Sequence, residues 1–111
     1  MSKLSDEVFL AIKEAFPFYR IVKEYYVIYK GQKLFFDFFI PDLMIAIEAQ
    51  GQQHDRYVEH FHKDEFGFYK HKHRDKRKRQ WAEDNLIKLL EVRQSDLPIN
   101  GNKLLSLIGS V

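Results

Sequence analysis

The chain has 111 residues, a mass of 13.4 kDa, no Cys and a formal net charge of +2. That length suits one domain over residues 1–111 that buries roughly 65% of its unfolded surface, and a 45% hydrophobic content with ten Phe, six Tyr and one Trp argues against disorder. Without Cys there is no disulfide scaffold, thiolate zinc site or Cys nucleophile, no apolar run approaches the about 18 residues of a membrane span, and Met1-Ser2-Lys3-Leu4-Ser5-Asp6-Glu7 lacks the apolar centre of a secretion signal, so a soluble, cytoplasmic protein is expected.

Residues 5–16 are predicted to be a helix, with Ser5 as N-cap, Asp6 and Glu7 suited to the positive helix start, and apolar residues at three- and four-residue spacing. Pro17 ends it. Residues 20–30, rich in Ile, Val and Tyr, are predicted to be a strand, and Lys30-Gly31-Gln32-Lys33 a hairpin turn. Leu34 to Ile40 is a second strand, stopped by Pro41-Asp42, and Leu43 to Ala49 a third, stopped by Gly51. Residues 52–62 are polar and His-rich and suit a loop. Lys63 to Asn85 suits a helix with Phe66, Tyr69, Trp81 and Ala82 as core contacts, weakened at Gly67. Ile87 to Val92 is a fourth strand, Pro98 and Gly101 mark a loop, and Lys103 to Ile108 is a short last helix.

The order is α-β-β-β-α-β-α. Three strands with short links form an antiparallel meander, and a right-handed crossover sets the fourth parallel to one of them. The expected fold is therefore an α/β mixed four-stranded sheet flanked by helices.

Charge is concentrated in one place. Residues 70–79 hold seven Lys or Arg and one acid, a charge of +6, which leaves −4 on the rest of the chain. Exposed helices ordinarily mix signs, so a one-signed run favours a polyanion such as nucleic-acid phosphate over a plain solvated face. Lys70, Lys72, Arg74, Lys76, Arg77, Lys78 and Arg79 are the candidate phosphate contacts.

Two acids sit inside hydrophobic strands. Asp37 lies within Phe35-Phe36-Asp37-Phe38-Phe39, and Glu48 within Ile45-Ala46-Ile47-Glu48-Ala49-Gln50. A lone carboxylate in a strand interior is costly to desolvate and needs compensation. A tight hairpin at Pro41-Asp42 would bring Asp37 and Glu48 together, and two carboxylates at a sheet edge suit Mg²⁺. The alternative is that each faces solvent, although strict alternation fits Asp37 poorly. Gln50 shares a face with Glu48, and His54 just beyond is either a proton-transfer group or an ordinary loop His.

Three motifs together resemble the PD-(D/E)XK nuclease superfamily: Phe36-Asp37-Phe38-Phe39-Ile40-Pro41, Ile47-Glu48-Ala49-Gln50-Gly51-Gln52-Gln53-His54, and Arg74-Asp75-Lys76-Arg77-Lys78. Within it the likeness is to the very-short-patch-repair endonucleases and related phage or homing nuclease domains, over residues 7 to 93. The resemblance implies a restriction-endonuclease-like αβββαβ core. It also implies Mg²⁺, or Mn²⁺, on Asp37 and Glu48, with His54 handling a proton and Glu7 aimed at the metal or its water. Asp75 would orient His54 or a water, or else pair with Arg79 four residues on. Gln50 stands where that superfamily usually has Lys, and Gln supplies neither a base nor a charge. The very-short-patch-repair enzymes also hold a zinc through Cys and His. This chain has no Cys, and His60-x-His62 and His71-x-His73 are spaced so that helical side chains diverge, so no structural zinc is expected.

The expected function is a Mg²⁺-dependent DNA endonuclease. The same features suit a four-way-junction resolvase, or a non-catalytic nucleic-acid-binding module that keeps the fold, which Gln50 favours. A structural protein whose basic run meets an acidic partner is a further alternative. DNA is the expected partner, with no membrane, and a homodimer would suit paired cuts.

Overall fold

The computed structural model describes residues 3–50 and 65–110, with backbone only for 65–68 and His71. In chain order it has α1 (Lys3–Ala15), β1 (Val22–Tyr29), β2 (Gln32–Ile40), a one-turn 3-10 helix (Pro41–Leu43), β3 (Ile45–Gln50), α2 (Glu65–Asp84), β4 (Lys88–Arg93), a second 3-10 turn (Gln94–Asp96) and α3 (Gly101–Gly109). The sheet runs β1-β2-β3-β4. The first three strands are antiparallel and β4 lies parallel to β3, so the α-β-β-β-α-β-α order and a fourth strand parallel to one of the first three are as expected.

The β1–β2 turn needs only Lys30 and Gly31, both at positive φ (50° and 77°), the left-handed pair that suits a two-residue hairpin. β3 starts at Ile45 rather than Leu43, because Pro41-Asp42-Leu43 coil into the 3-10 turn and Met44 leaves it at φ 54°. α1 starts at Lys3, so Ser5 is buried in its first turn rather than capping it. α3 starts at Gly101, two residues before the expected Lys103, because the Asn100 side chain accepts from the Lys103 amide at 2.9 Å and caps the helix. Gly101 fits there because a Cβ would lie 3.0 Å from the Ala15 nitrogen, and its own amide donates to Glu14 Oε1 at 3.0 Å.

Each sheet face carries its own core. On one face, Val8 and Ile12 of α1 and Leu104 and Ile108 of α3 pack on Phe38, Ile40, Ile45, Ile47, Leu90 and Val92. On the other, Trp81 and Ala82 of α2 pack on Leu34, Phe36, Phe39 and Ala46. Each such large side chain, fully buried, contributes roughly 1.5–3 kcal/mol. Tyr69, expected in the core, is 64% exposed, and among the described side chains of α2 the buried apolar ones are Trp81 and Ala82.

β2 contacts both cores out of simple alternation. Leu34 and Phe36 face α2, and so does Phe39, three residues later rather than two or four. The phase of the strand therefore shifts at Asp37. β1 shifts opposite it: Tyr25 and Val22 both join the α2 side, and Glu24 between them has φ 52°. Tyr25 pairs with Phe36 and Lys23 with Phe38, but Glu24 and Asp37 form no ladder pair. This shift sets Asp37 between the two faces and frees it from the core.

Candidate active site

The ladder between β2 and β3 has three pairs, Ile40–Ile45, Phe39–Ala46 and Phe38–Ile47, and then stops. Beyond it the strands part at Asp37 and Glu48, whose side chains take over from the ladder. The Ala49 amide donates to Asp37 Oδ2 at 2.7 Å, and the Asp37 amide donates to Glu48 Oε1 at 3.3 Å. The two carboxylates thus lie side by side at the fork of two strands, as the tight hairpin implied. Asp37 is half-buried and Glu48 is buried.

Compensation for Glu48 comes from α2. Lys78 Nζ lies 2.9 Å from Glu48 Oε2, with both side chains nearly closed off from water, and 5.5 Å from the centre of the Phe36 ring. Phe36 in turn packs on Trp81 at 4.9 Å. The sequence groups Lys78 with the phosphate-binding cations. The structure turns it inward instead, because Trp81 and Ala82 fix the buried face of α2 and Lys78 is three and four residues before them. Asp75, one turn earlier on the same stripe, is also buried.

Burial pushes the Glu48 carboxyl above its ordinary pKa, and Asp37 adds to this, while the Lys78 ammonium and its hydrogen bond pull it back. Desolvation is the larger influence.

β4 extends the polar surface. In the parallel ladder Glu48 is opposite Glu91 and Gln50 opposite Arg93. Arg79 Nε donates to Glu91 Oε1 at 3.1 Å, and Arg93 Nη2 to Glu91 Oε2 at 3.2 Å. Two successive residues of α2, Lys78 and Arg79, therefore each meet a carboxylate, one on β3 and one on β4. Sequence reasoning missed Glu91 and Arg93, which look like ordinary outward positions of an amphipathic strand. Gln50 is buried, two residues after Glu48 along β3 and so on the same strand face.

Lys70, Lys72, Arg74 and Lys76 are exposed on α2, and Arg77 is half-buried. His54 lies outside the described residues, as do Gly51 and the expected loop at 52–62. The Phe66 side chain is outside them too. Among the described residues, no third Asp, Glu or His joins Asp37 and Glu48 in a metal-holding group. Glu7 lies on α1, and Asp75 on α2 one turn before Lys78. No described helix is long and apolar enough to cross a membrane.

No family model matches the chain, and no solved structure matches it. It is similar to protein 307L of Invertebrate iridescent virus 6, itself uncharacterised, at 38% identity over 56 residues. The match takes in 50% of this chain and spans 28% of the viral protein's length.

Proposed function

We propose that the chain is a Mg²⁺-dependent DNA endonuclease acting at the β2–β3 fork. The observation that carries the proposal is the pairing of Asp37 and Glu48 where the ladder ends, with Lys78 held on Glu48. Among the described residues, Asp37 Oδ1 has no hydrogen-bond partner. Two carboxylates fit Mg²⁺, which keeps several waters and takes only one or two protein ligands. Asp37 and Glu48 would hold the ion, whose chemistry there is charge neutralisation at the phosphate and polarisation of water.

The chain's own groups supply the rest. Lys78 provides the positive charge that Gln50 lacks and favours the ionised form of Glu48 against its burial. Gln50 offers a neutral hydrogen-bonding amide on the same face. His54 is assigned the proton transfer. Lys70, Lys72, Arg74 and Lys76 hold the phosphate backbone, a contact that positions DNA without reading its sequence.

A second reading is favoured by the same ion pair. Lys78 already neutralises Glu48 within the fold, as a non-catalytic DNA-binding module would need. Supercoiled plasmid incubated with purified protein in Mg²⁺, Mn²⁺ or EDTA separates the two. Nicking with a metal and none in EDTA is the expected result. DNA binding without cutting in either metal would favour the module.

A further inference from the structure

Along α2, on the side facing the hairpin turn, two cavities adjoin. The smaller, about 230 Å³, is lined by Lys30 of the turn and by His73, Lys76, Arg77 and Gln80 of α2. The larger, about 350 Å³, shares His73 and is lined also by Gln32, Tyr69, Lys70 and Arg74.

Among the described residues, the smaller cavity is lined by three cations and no acid. Like charges converging on one small volume repel unless an anion sits between them. Among the described residues, Arg77 Nη1 is buried without a hydrogen-bond partner, and a buried donor left unpaired carries the full cost of its desolvation. An anionic oxygen in the cavity would supply the countercharge to Lys30, Lys76 and Arg77. Asp84, one turn beyond Gln80, is taken up by the Tyr29 hydroxyl at 2.5 Å. Lys30 is held at the turn by its left-handed backbone, with its ammonium 5.1 Å from the Tyr29 ring centre.

The larger cavity differs in character. Tyr69 offers a 64% exposed ring and Arg74 a planar guanidinium, the two kinds of surface on which bases stack. Its size falls within the range of small-ligand pockets. A phosphate-binding pocket beside a stacking pocket matches the two halves of a nucleotide. A base within duplex DNA is already stacked and cannot enter.

We propose that this cleft binds one unstacked nucleotide of single-stranded DNA, with its phosphate at Lys30, Lys76 and Arg77 and its base on Tyr69. The site is distinct from the carboxylate fork and needs no metal. It goes beyond the nuclease reading by directing the protein to DNA with an unpaired stretch.

The test is fluorescence anisotropy in EDTA with a labelled twelve-nucleotide thymidine strand and a duplex of the same length. The wild type is expected to bind the strand at least tenfold more tightly than the duplex. Tyr69→Ala is expected to weaken strand binding by roughly five- to a hundredfold and leave duplex binding unchanged. Arg77→Gln should weaken strand binding about tenfold or more. Lys30→Gln, an exposed change in the turn, should weaken it in the same direction should Arg77→Gln fail to fold. Wild-type affinity in folded Tyr69→Ala and Lys30→Gln variants would overturn the proposal, as would duplex binding as tight as strand binding. Because EDTA removes any metal-dependent step, an inactive fork leaves this result unaffected.

Discussion

Glu48 and Lys78 are 2.9 Å apart with side chains 6% and 11% exposed. At an effective dielectric constant near 20, their gross attraction is about 6 kcal/mol. Desolvation of both ions offsets most of that, so the net value of the pair is small, but neither partner tolerates loss of the other. Glu48→Gln and Lys78→Met are each expected to lower the unfolding free energy by about 3–5 kcal/mol. The double variant, with no buried charge left unpaired, is expected within about 1 kcal/mol of wild type. Urea unfolding followed by the fluorescence of Trp81, the single Trp and itself buried, measures all four proteins. At about 1–3 kcal/mol per molar urea, each single variant should move its midpoint down by more than roughly 1 M. Additivity of the two single effects within about 0.5 kcal/mol would refute the buried pair.

The pH dependence follows from the same burial. Burial raises the folded-state pKa of Glu48 above its ordinary 4.5, despite Lys78. A raised acid binds its proton more tightly in the folded state, so its contribution is fully present below about 4.5 and is lost as pH rises through the folded value. The stability of wild type relative to the Glu48→Gln/Lys78→Met double variant should therefore fall as pH rises from about 4.5, in urea titrations at successive pH values. A flat difference would contradict it. At Asp37, replacement by Ala removes the acceptor of the Ala49 amide and should cost about 1–3 kcal/mol in thermal or urea unfolding. Asp37→Asn keeps an acceptor oxygen and should stay closer to wild type in stability. For the exposed cations, the double change Arg74→Gln/Lys76→Gln should weaken duplex binding on all sequences alike. It should also flatten log K against log salt by about 0.9 for each phosphate no longer neutralised. A loss confined to one sequence would contradict a phosphate-only role.

The fold was largely legible because strand and turn signals are local. Lys30-Gly31 needs left-handed backbone, Pro41 stops a strand, and the long polar segment before Ile87 demands a crossover. The closeness of Asp37 and Glu48 was also legible, from two acids equidistant from a tight turn. The phase shift at Asp37 was not, because it requires a matching irregularity at Glu24 on another strand. Failure of strict alternation around Asp37 was its only trace. The inward turn of Lys78 was readable in principle: Trp81 and Ala82 fix the buried face of α2, and the helical period carries it back to Lys78 and Asp75. A run of seven similar cations hid that phase. Glu91 and Arg93 became part of the surface only through the parallel register with Glu48 and Gln50, a one-residue property no local pattern sets.

Whether Asp37 and Glu48 form a cutting site is decided by plasmid nicking with wild type beside Asp37→Asn and Glu48→Gln. Each variant is first shown to be folded by circular dichroism, with Lys78→Met added to Glu48→Gln where the single change unfolds. Nicking in Mg²⁺ by wild type alone, with salt-sensitive DNA binding retained by the variants, is the expected result. Nicking by folded variants at the wild-type rate would contradict it and move the chemistry elsewhere on the chain.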